Sequence, residues 1–195
     1  MVWGKAGSTT LASAGDDLDI TSMTASKFNQ ILYHTIASGA TDGRITYNNN
    51  ANSVYCRRGS NNGGTDFTGT GTAYAESTHT TTTDKFSVSY LCSISGEEKL
   101  QILNYLDYGT AGAGTAPNRL EFVFKFVPSP DADITIIDMN NTQSGSFDTS
   151  SNISVLGSDL TPASTVATKV QDGAVFYETD TNKSYVLSSS VWTEL

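Results

Sequence analysis

The chain predicts an all-β protein: an antiparallel β-sandwich, with a jelly roll as the preferred topology, followed by a small C-terminal β meander. Three observations lead there. Charged residues make up only 16% of the 195, while nine Tyr, eight Phe and two Trp supply side chains suited to half-buried pleated surfaces. Several stretches alternate apolar and polar residues with a period of two. In residues 119–127, Leu120, Phe122, Phe124 and Phe126 share one face and Arg119, Glu121, Val123 and Lys125 the other, the pattern of a sheet with one wet side. Groups of Gly, Asn and Ser punctuate these stretches at short intervals.

Size and charge narrow the function classes. A chain of 195 residues forms one full-sized core, and any second core is small. The net charge is −9 and the only basic cluster is Arg57-Arg58, so a surface that tracks phosphates is not expected, and no nucleic-acid partner with it. No stretch approaches the roughly 20 apolar residues of a membrane helix, so no membrane insertion is expected. The N-terminal residues lack an apolar run of signal-peptide length, which predicts synthesis in a cytoplasm. Cys56 and Cys92 lie in separate apolar stretches without C-x-x-C spacing. They are expected to be buried free thiols, with a cross-strand disulfide as the alternative.

In chain order, residues 1–19 are small and polar around Trp3 and predict an N-terminal arm that docks elsewhere. Asp16, Asp17 and Asp19 lack the spacing of a calcium loop and are read as a solvated loop. The main domain spans 20–157. Residues 27–38 fit a helical stripe, with Thr24 as N-cap, and equally a half-buried strand; the alternating segments at 43–50 and 53–63 favour the strand. Residues 59–84 are rich in Gly and Thr and read as a long loop with one strand near Phe67 to Tyr74. Three stronger strands are expected at 85–95, 99–109 and 119–128, the first two joined by a tight turn at Gly96-Glu97-Glu98. Strands at 134–141 and 152–157 complete the domain, a linker occupies 158–171, and 172–195 form a three-stranded meander.

No catalytic constellation is visible. His34 sits in an apolar segment and reads as structural, and His79 in a Ser/Thr tract reads as solvated. Glu97-Glu98 occupy a turn. Asp131, Asp133 and Asp138 fall short of the six or more oxygens a hard cation needs. No enzymatic activity, metal or cofactor is expected. The competing function is a carbohydrate-binding module or adhesin. Trp3, Tyr47, Tyr74 and Trp192 could stack on sugar rings beside the turn residues Asn48 to Asn50, with Tyr47, Asn48, Asn50 and Tyr74 as the glycan contacts.

Two resemblances add a setting. Gly173, Phe176, Glu178, Thr179, Asp180, Thr181, Lys183, Tyr185, Trp192 and Thr193 follow the pattern G-x-x-F-x-E-T-D-T-x-K-x-Y with W-T downstream. This resembles the short terminal modules of tailed-phage structural proteins. Thr24, Lys27, Phe28, Leu32, His34 and Ile36, then Asn48, Asn50, Tyr55 and Arg57, then Ile102, Leu103, Tyr105 and Asp107 resemble a β-sandwich domain of phage tail and other virion proteins. The resemblance implies a non-enzymatic virion component of the tail-fibre or capsid-decoration type. It would be made in the host cytoplasm, self-associate with a trimer favoured, attach to other virion proteins, and in the fibre role touch a host-surface glycan. The assembly interface is expected at Trp3, Val175, Tyr177, Tyr185, Leu187 and Trp192, because a meander of some 20 residues has faces it cannot bury alone.

Overall fold

Turn chemistry sets the strand boundaries. Asn48 and Asn49 adopt φ of 54° and 56°, and the Asn50 amide closes on the Tyr47 carbonyl at 3.0 Å. That pair of positive φ values is what a tight hairpin turn requires. Asn62 and Gly63 repeat the arrangement between Asn61 and Gly64. Gly96, at φ 79°, takes the third place of the turn Ile94–Glu97, where Gly is the unstrained residue.

The computed structural model describes residues 3–76, 80–128, 132–160, 173–178, 182–189 and 191–195, and among these no helix occurs. The chain divides into two compact units, Met1–Thr161 and Pro162–Leu195. The first contains β1 (Gly4–Thr10), β2 (Ser26–Thr35), β3 (Gly43–Tyr47), β4 (Tyr55–Asn61), β5 (Phe67–Thr72), β6 (Ala75–Glu76), β7 (Lys85–Cys92), β8 (Lys99–Asp107), β9 (Asn118–Phe126), β10 (Ile137–Asn141) and β11 (Asn152–Leu160). Eight of these form one antiparallel sheet in the order β1-β11-β2-β7-β8-β9-β4-β5, and β10-β3-β6 form a second. The two sheets share one core, so the unit is an all-β antiparallel sandwich. The strand order carries that architecture but no jelly-roll assignment.

The second unit holds β12 (Val175–Glu178), β13 (Lys183–Ser188) and β14 (Val191–Glu194), an antiparallel meander.

Several expectations need correction. Residues 3–19, expected as an arm that docks elsewhere, join the sandwich of their own chain: β1 pairs with β11 from Gly4↔Gly157 to Thr10↔Asn152, and bridges at Gly15↔Phe147 and Asp17↔Asn140 tie down the segment after β1. Close approach demands the small residues there, since a Cβ on Gly7 would lie 2.8 Å from Ile20 Cγ2. Asp16, Asp17 and Asp19 are fasteners. Asp19 Oδ1 accepts the Met139 amide at 3.0 Å, while Asp17 and Asp16 accept from Asn140 and Asn141. The strand expected within 27–38 is present as β2, ending at Thr35 and paired on both sides by β11 and β7. Strand β11 runs to Leu160, so the expected linker 158–171 begins with strand residues; its remainder lies outside the described residues.

The core combines Ile31, Leu103, Phe122, Phe124, Phe126, Ile153 and Val155 of the large sheet with Ile45, Tyr47, Ile137 and Met139 of the small one. Tyr47 links the layers, with its ring 5.6 Å from that of Phe126 and its hydroxyl donating to Gln101 Oε1 at 2.5 Å. Gly59 on β4 lies under Phe122: a Cβ there would sit 2.5 Å from the ring. Phe122 has no room to yield, because it stacks on Phe124 at 5.3 Å and meets the edge of Phe67 at 5.4 Å.

Polar groups are built into this interior. Lys85 is 1% exposed and its Nζ donates to Thr41 O and Thr41 Oγ1 at 2.6 and 2.7 Å. Burial lowers its pKa to about 8, against the pull of Asp42 and Asp107. Asp107 accepts from the Tyr105 hydroxyl, the Gly109 amide and Asn118 Nδ2 at 2.8, 2.8 and 2.9 Å. Burial holds Tyr47, Tyr55 and Tyr105 above the ordinary phenol value.

This packing makes two outcomes testable. Gly59→Ala lowers unfolding stability by about 1–3 kcal/mol, read from urea denaturation. Stability also depends on alkaline pH in a defined sense. Between about 8 and 10 the unfolded chain binds the Lys85 proton that the folded chain has released, so stability rises with pH. Above 10 the buried tyrosines keep protons that unfolded ones lose, Tyr55 up to about 12, so stability falls. Lys85→Met removes the rising limb from denaturation profiles and leaves the falling one.

Candidate interaction surfaces

The two faces of the large sheet are patterned against expectation. On β7 the inward side chains are Lys85, Ser87, Ser89 and Leu91, whereas Phe86, Val88, Tyr90 and Cys92 point outward. On β8, Lys99 and Gln101 point inward with Leu103 and Tyr105, while Leu100, Ile102 and Leu106 point outward. The outward set is well exposed: Phe86 40%, Tyr90 51%, Leu100 56%, Ile102 57%, Leu106 44%, and Val123 of β9 49%.

Strand register makes Tyr90, Leu100, Ile102 and Val123 contiguous, while Phe86 and Leu106 stand two rows away beyond Val88 and Asn104. Phe28, Cys92, Leu100, Lys125 and Cys56 form one row across β2, β7, β8, β9 and β4. Gln30, Tyr90, Ile102, Val123 and Arg58 form the next. All of these except Gln30 floor an open trough of about 790 Å³, walled by Trp3 on one side and by Thr68 and Thr70 of β5 on the other. Beyond it, β11 turns Asn152 and Ser154 to the same side. The charges at the margin are matched: Arg58 with Asp66 at 3.2 Å, Arg119 with Glu121 at 3.5 Å, and Lys125 with Glu98 at 3.0 Å.

Both cysteines are partly buried free thiols on this floor. Because β8 and β9 lie between β7 and β4, Cys92 and Cys56 stand three strand spacings apart, about 14 Å. That is beyond the reach of a disulfide, so the pairing alternative is excluded within one chain.

The expected glycan contacts do not form a surface. Tyr47 is 1% exposed and spends its hydroxyl on Gln101. Asn48 is used up by the backbone: Oδ1 accepts the Thr135 and Ile136 amides at 2.9 and 3.1 Å, and Nδ2 donates to Asp133 O at 2.8 Å. Asn50 accepts the Asn52 amide on Oδ1 and the Tyr55 hydroxyl on its carbonyl. Tyr74 is half-buried with the Arg44 guanidinium 4.2 Å from its ring centre and that of Arg57 at 5.8 Å. Sequence reasoning placed aromatics beside asparagines correctly but could not see that packing and turn closure consume them.

The expected assembly residues also separate. Trp3 belongs to the trough. In the meander, pairing puts Phe176, Tyr185, Leu187 and Trp192 on one face and Val175, Tyr177, Val186 and Val191 on the other. Phe176, missing from the expected set, is the hub of the first face, with Tyr185 at 6.2 Å and Trp192 edge-on at 6.0 Å. Leu187 is 2% exposed and is a core residue of that face. Val175, Tyr177 and Val191 stand more than half exposed on the second.

Of the residues weighed for chemistry, His34 faces outward on β2 opposite Phe86, Glu98 pairs with Lys125, and Asp138 Oδ2 accepts from Thr46 Oγ1 and the Asn49 amide. His79 and Asp131 lie outside the described residues. Among the described residues no group of three or more His, Cys, Asp or Glu is placed to hold a metal ion. Compared with known proteins, the chain matches no family model, no curated protein and no solved structure.

The thiol geometry is directly checkable. Protein purified without reductant and then unfolded is expected to titrate two free thiols per chain with a disulfide-exchange reagent; a loss of both, in a chain that migrates as a monomer on a non-reducing gel, contradicts the strand order between β7 and β4.

Proposed function

We propose that this protein is a non-enzymatic structural component of a phage-like virion, of the tail-fibre or capsid-decoration type, that works by self-association and by attachment to other virion proteins. The observation that carries the reading is the C-terminal unit. It is a three-stranded sheet with apolar residues on both faces, and a sheet of that size is marginal in water unless something covers it. Val175 at 64%, Tyr177 at 52% and Val191 at 62% exposure stand open on one face, and Phe176 at 50% on the other. The sequence of this unit is also the part that resembles terminal modules of tailed-phage structural proteins.

The physical task is surface burial. Covering one apolar face against a like face removes about 25 cal/mol of free-energy cost per Å², and closed symmetric assembly also covers the strand edges at β12 and β14. A trimer is the favoured closed form on the resemblance. The virion is the proposed location.

Light scattering after size exclusion tests this, with the full chain and a chain truncated after Thr168 at several concentrations. The full chain is expected to run as a multiple of the single-chain mass. The truncated chain, which retains the whole sandwich core, is expected to keep its thermal unfolding transition while dissociating at concentrations about tenfold higher. Identical mass-against-concentration curves for the two would remove the terminal unit from the assembly.

A further inference from the structure

The outer face of the large sheet is a second surface in want of a cover, because a sandwich needs only one dry face per sheet. On β7 and β8 the usual arrangement is inverted, with Ser and Lys turned inward and Phe, Tyr, Leu and Ile turned to solvent. A strand that is apolar outward and also packs a core inward is the pattern of a sheet covered on both sides.

We propose that this trough is buried against a second copy of the same chain, an inference that rests on the assembly reading above and locates its interface. Two features select that occupant. The first is charge. The chain carries −9 overall, yet no charged side chain stands on the outward face of β7 or β8; Arg58, Arg119 and Lys125 at the margin each meet a carboxylate, and Arg57, which also lines the trough, lies 5.8 Å from the centre of the Tyr74 ring. Two copies repel through the rest of their surfaces and meet without repulsion here; a basic partner would find its complement elsewhere on the molecule. The second is anatomy and size. Tyr90, Leu100, Ile102 and Val123 form an apolar centre on the order of a few hundred Å², the size of a functional surface patch. A standard interface takes about 800 Å² from each partner as an apolar centre inside a polar rim. Here polar groups at the border are Thr68 and Thr70 of β5 and the paired Arg58 and Lys125.

The lining is mainly aliphatic, aromatic and thiol groups; its polar members are Asn29, Gln101, Arg57, Thr68 and Thr70, with Arg58 and Lys125 held in ion pairs.

Cys56 and Cys92 make the proposal measurable in the full chain, because both thiols lie on the floor that the second copy covers. Light scattering and maleimide labelling are run in parallel on the wild type, Ile102→Lys, Val123→Lys and the conservative Ile102→Val, with circular dichroism melts on each. Ile102 and Val123 are about half exposed, so a lysine at either position has solvent to reach. The wild type is expected to be a multiple of the single chain with both thiols slow to react. Dilution to single chains, or either lysine substitution, is expected to speed labelling of both about tenfold, while Ile102→Val behaves as wild type.

A multimer that survives both lysine substitutions, or a labelling rate that stays constant as dilution lowers the mass, overturns this interface and leaves the assembly reading intact. A single chain at every concentration overturns both. Thiols that stay protected in a single-chain species show an occupant from the same chain and also overturn the proposal.

Discussion

The structure depends on a large antiparallel sheet whose central strands carry polar groups among their core side chains and apolar residues on their outward face. In a two-layer sandwich the strands normally alternate between a core face and a wet face. Strands β7 and β8 break that rule. Their core face carries Lys85, Ser87, Ser89, Lys99 and Gln101 beside Leu91, Leu103 and Tyr105, and their solvent face carries mostly bulky apolar residues. The interior therefore cannot be held by hydrophobic burial alone. Small serines leave space, and large amphipathic rings occupy the same layer: Tyr33, Tyr47, Tyr55 and Tyr105 are among the largest fully buried side chains. Each buried polar group then needs a partner, because an unpaired one costs about 1–3 kcal/mol. Thr41, Asp42, Asp107, Asn118 and Gln101 supply those partners.

This constraint explains how the chain closes on itself. Lys85 and Asp107 face each other directly across β7 and β8, and Lys85 reaches across to Thr41, the residue that bridges to Thr81. Lys99 performs the same service at the opposite end of the hairpin, donating to Ile94 O and Glu97 O at 2.6 and 2.9 Å and so closing the turn that Gly96 makes. The two lysines cap the two ends of the central hairpin from inside. Between them Gln101 ties Ser89 to Tyr47 and hence the large sheet to the small one. A network with a member at each end and one at the middle favours a single register, since a one-residue slip would turn every one of these groups outward.

Legibility in the sequence obeys the same constraint. The strand at 119–128 is read correctly because its faces keep to the rule, with Leu120 and three phenylalanines inward. The tight turn at Gly96 and the choice of strand at 27–38 come from turn chemistry and from period-two alternation in their neighbours. The N-terminal strand is missed because GKAGSTT has no apolar periodicity; its partner β11 and the room at Gly7 define it, and both are tertiary. The trough is missed for a different reason. Alternation reports that a strand has two unlike faces but not which face is inside, and β7 and β8 present the less expected choice. Tyr47 and Asn48 are legible as an aromatic beside turn residues, yet only the fold shows the hydroxyl engaged by Gln101 and the amide consumed by the 133–136 backbone.

The distribution of charge completes the logic. An apolar face of this size on a neutral protein would invite indiscriminate association. Here the acidic residues that produce a net charge of −9 are absent from the outward side of the central hairpin, so repulsion acts over approach directions other than that face. Long-range repulsion falls away within about a Debye length, roughly 8 Å at physiological ionic strength, whereas apolar contact acts only when surfaces meet. In the proposed orientation the uncharged outward faces of β7 and β8 meet, and the net charge lies elsewhere on each copy. The same net charge that keeps free chains dispersed thus restricts the geometry in which they join, which is the property a subunit needs if it is to wait in solution and then take one place in a larger assembly.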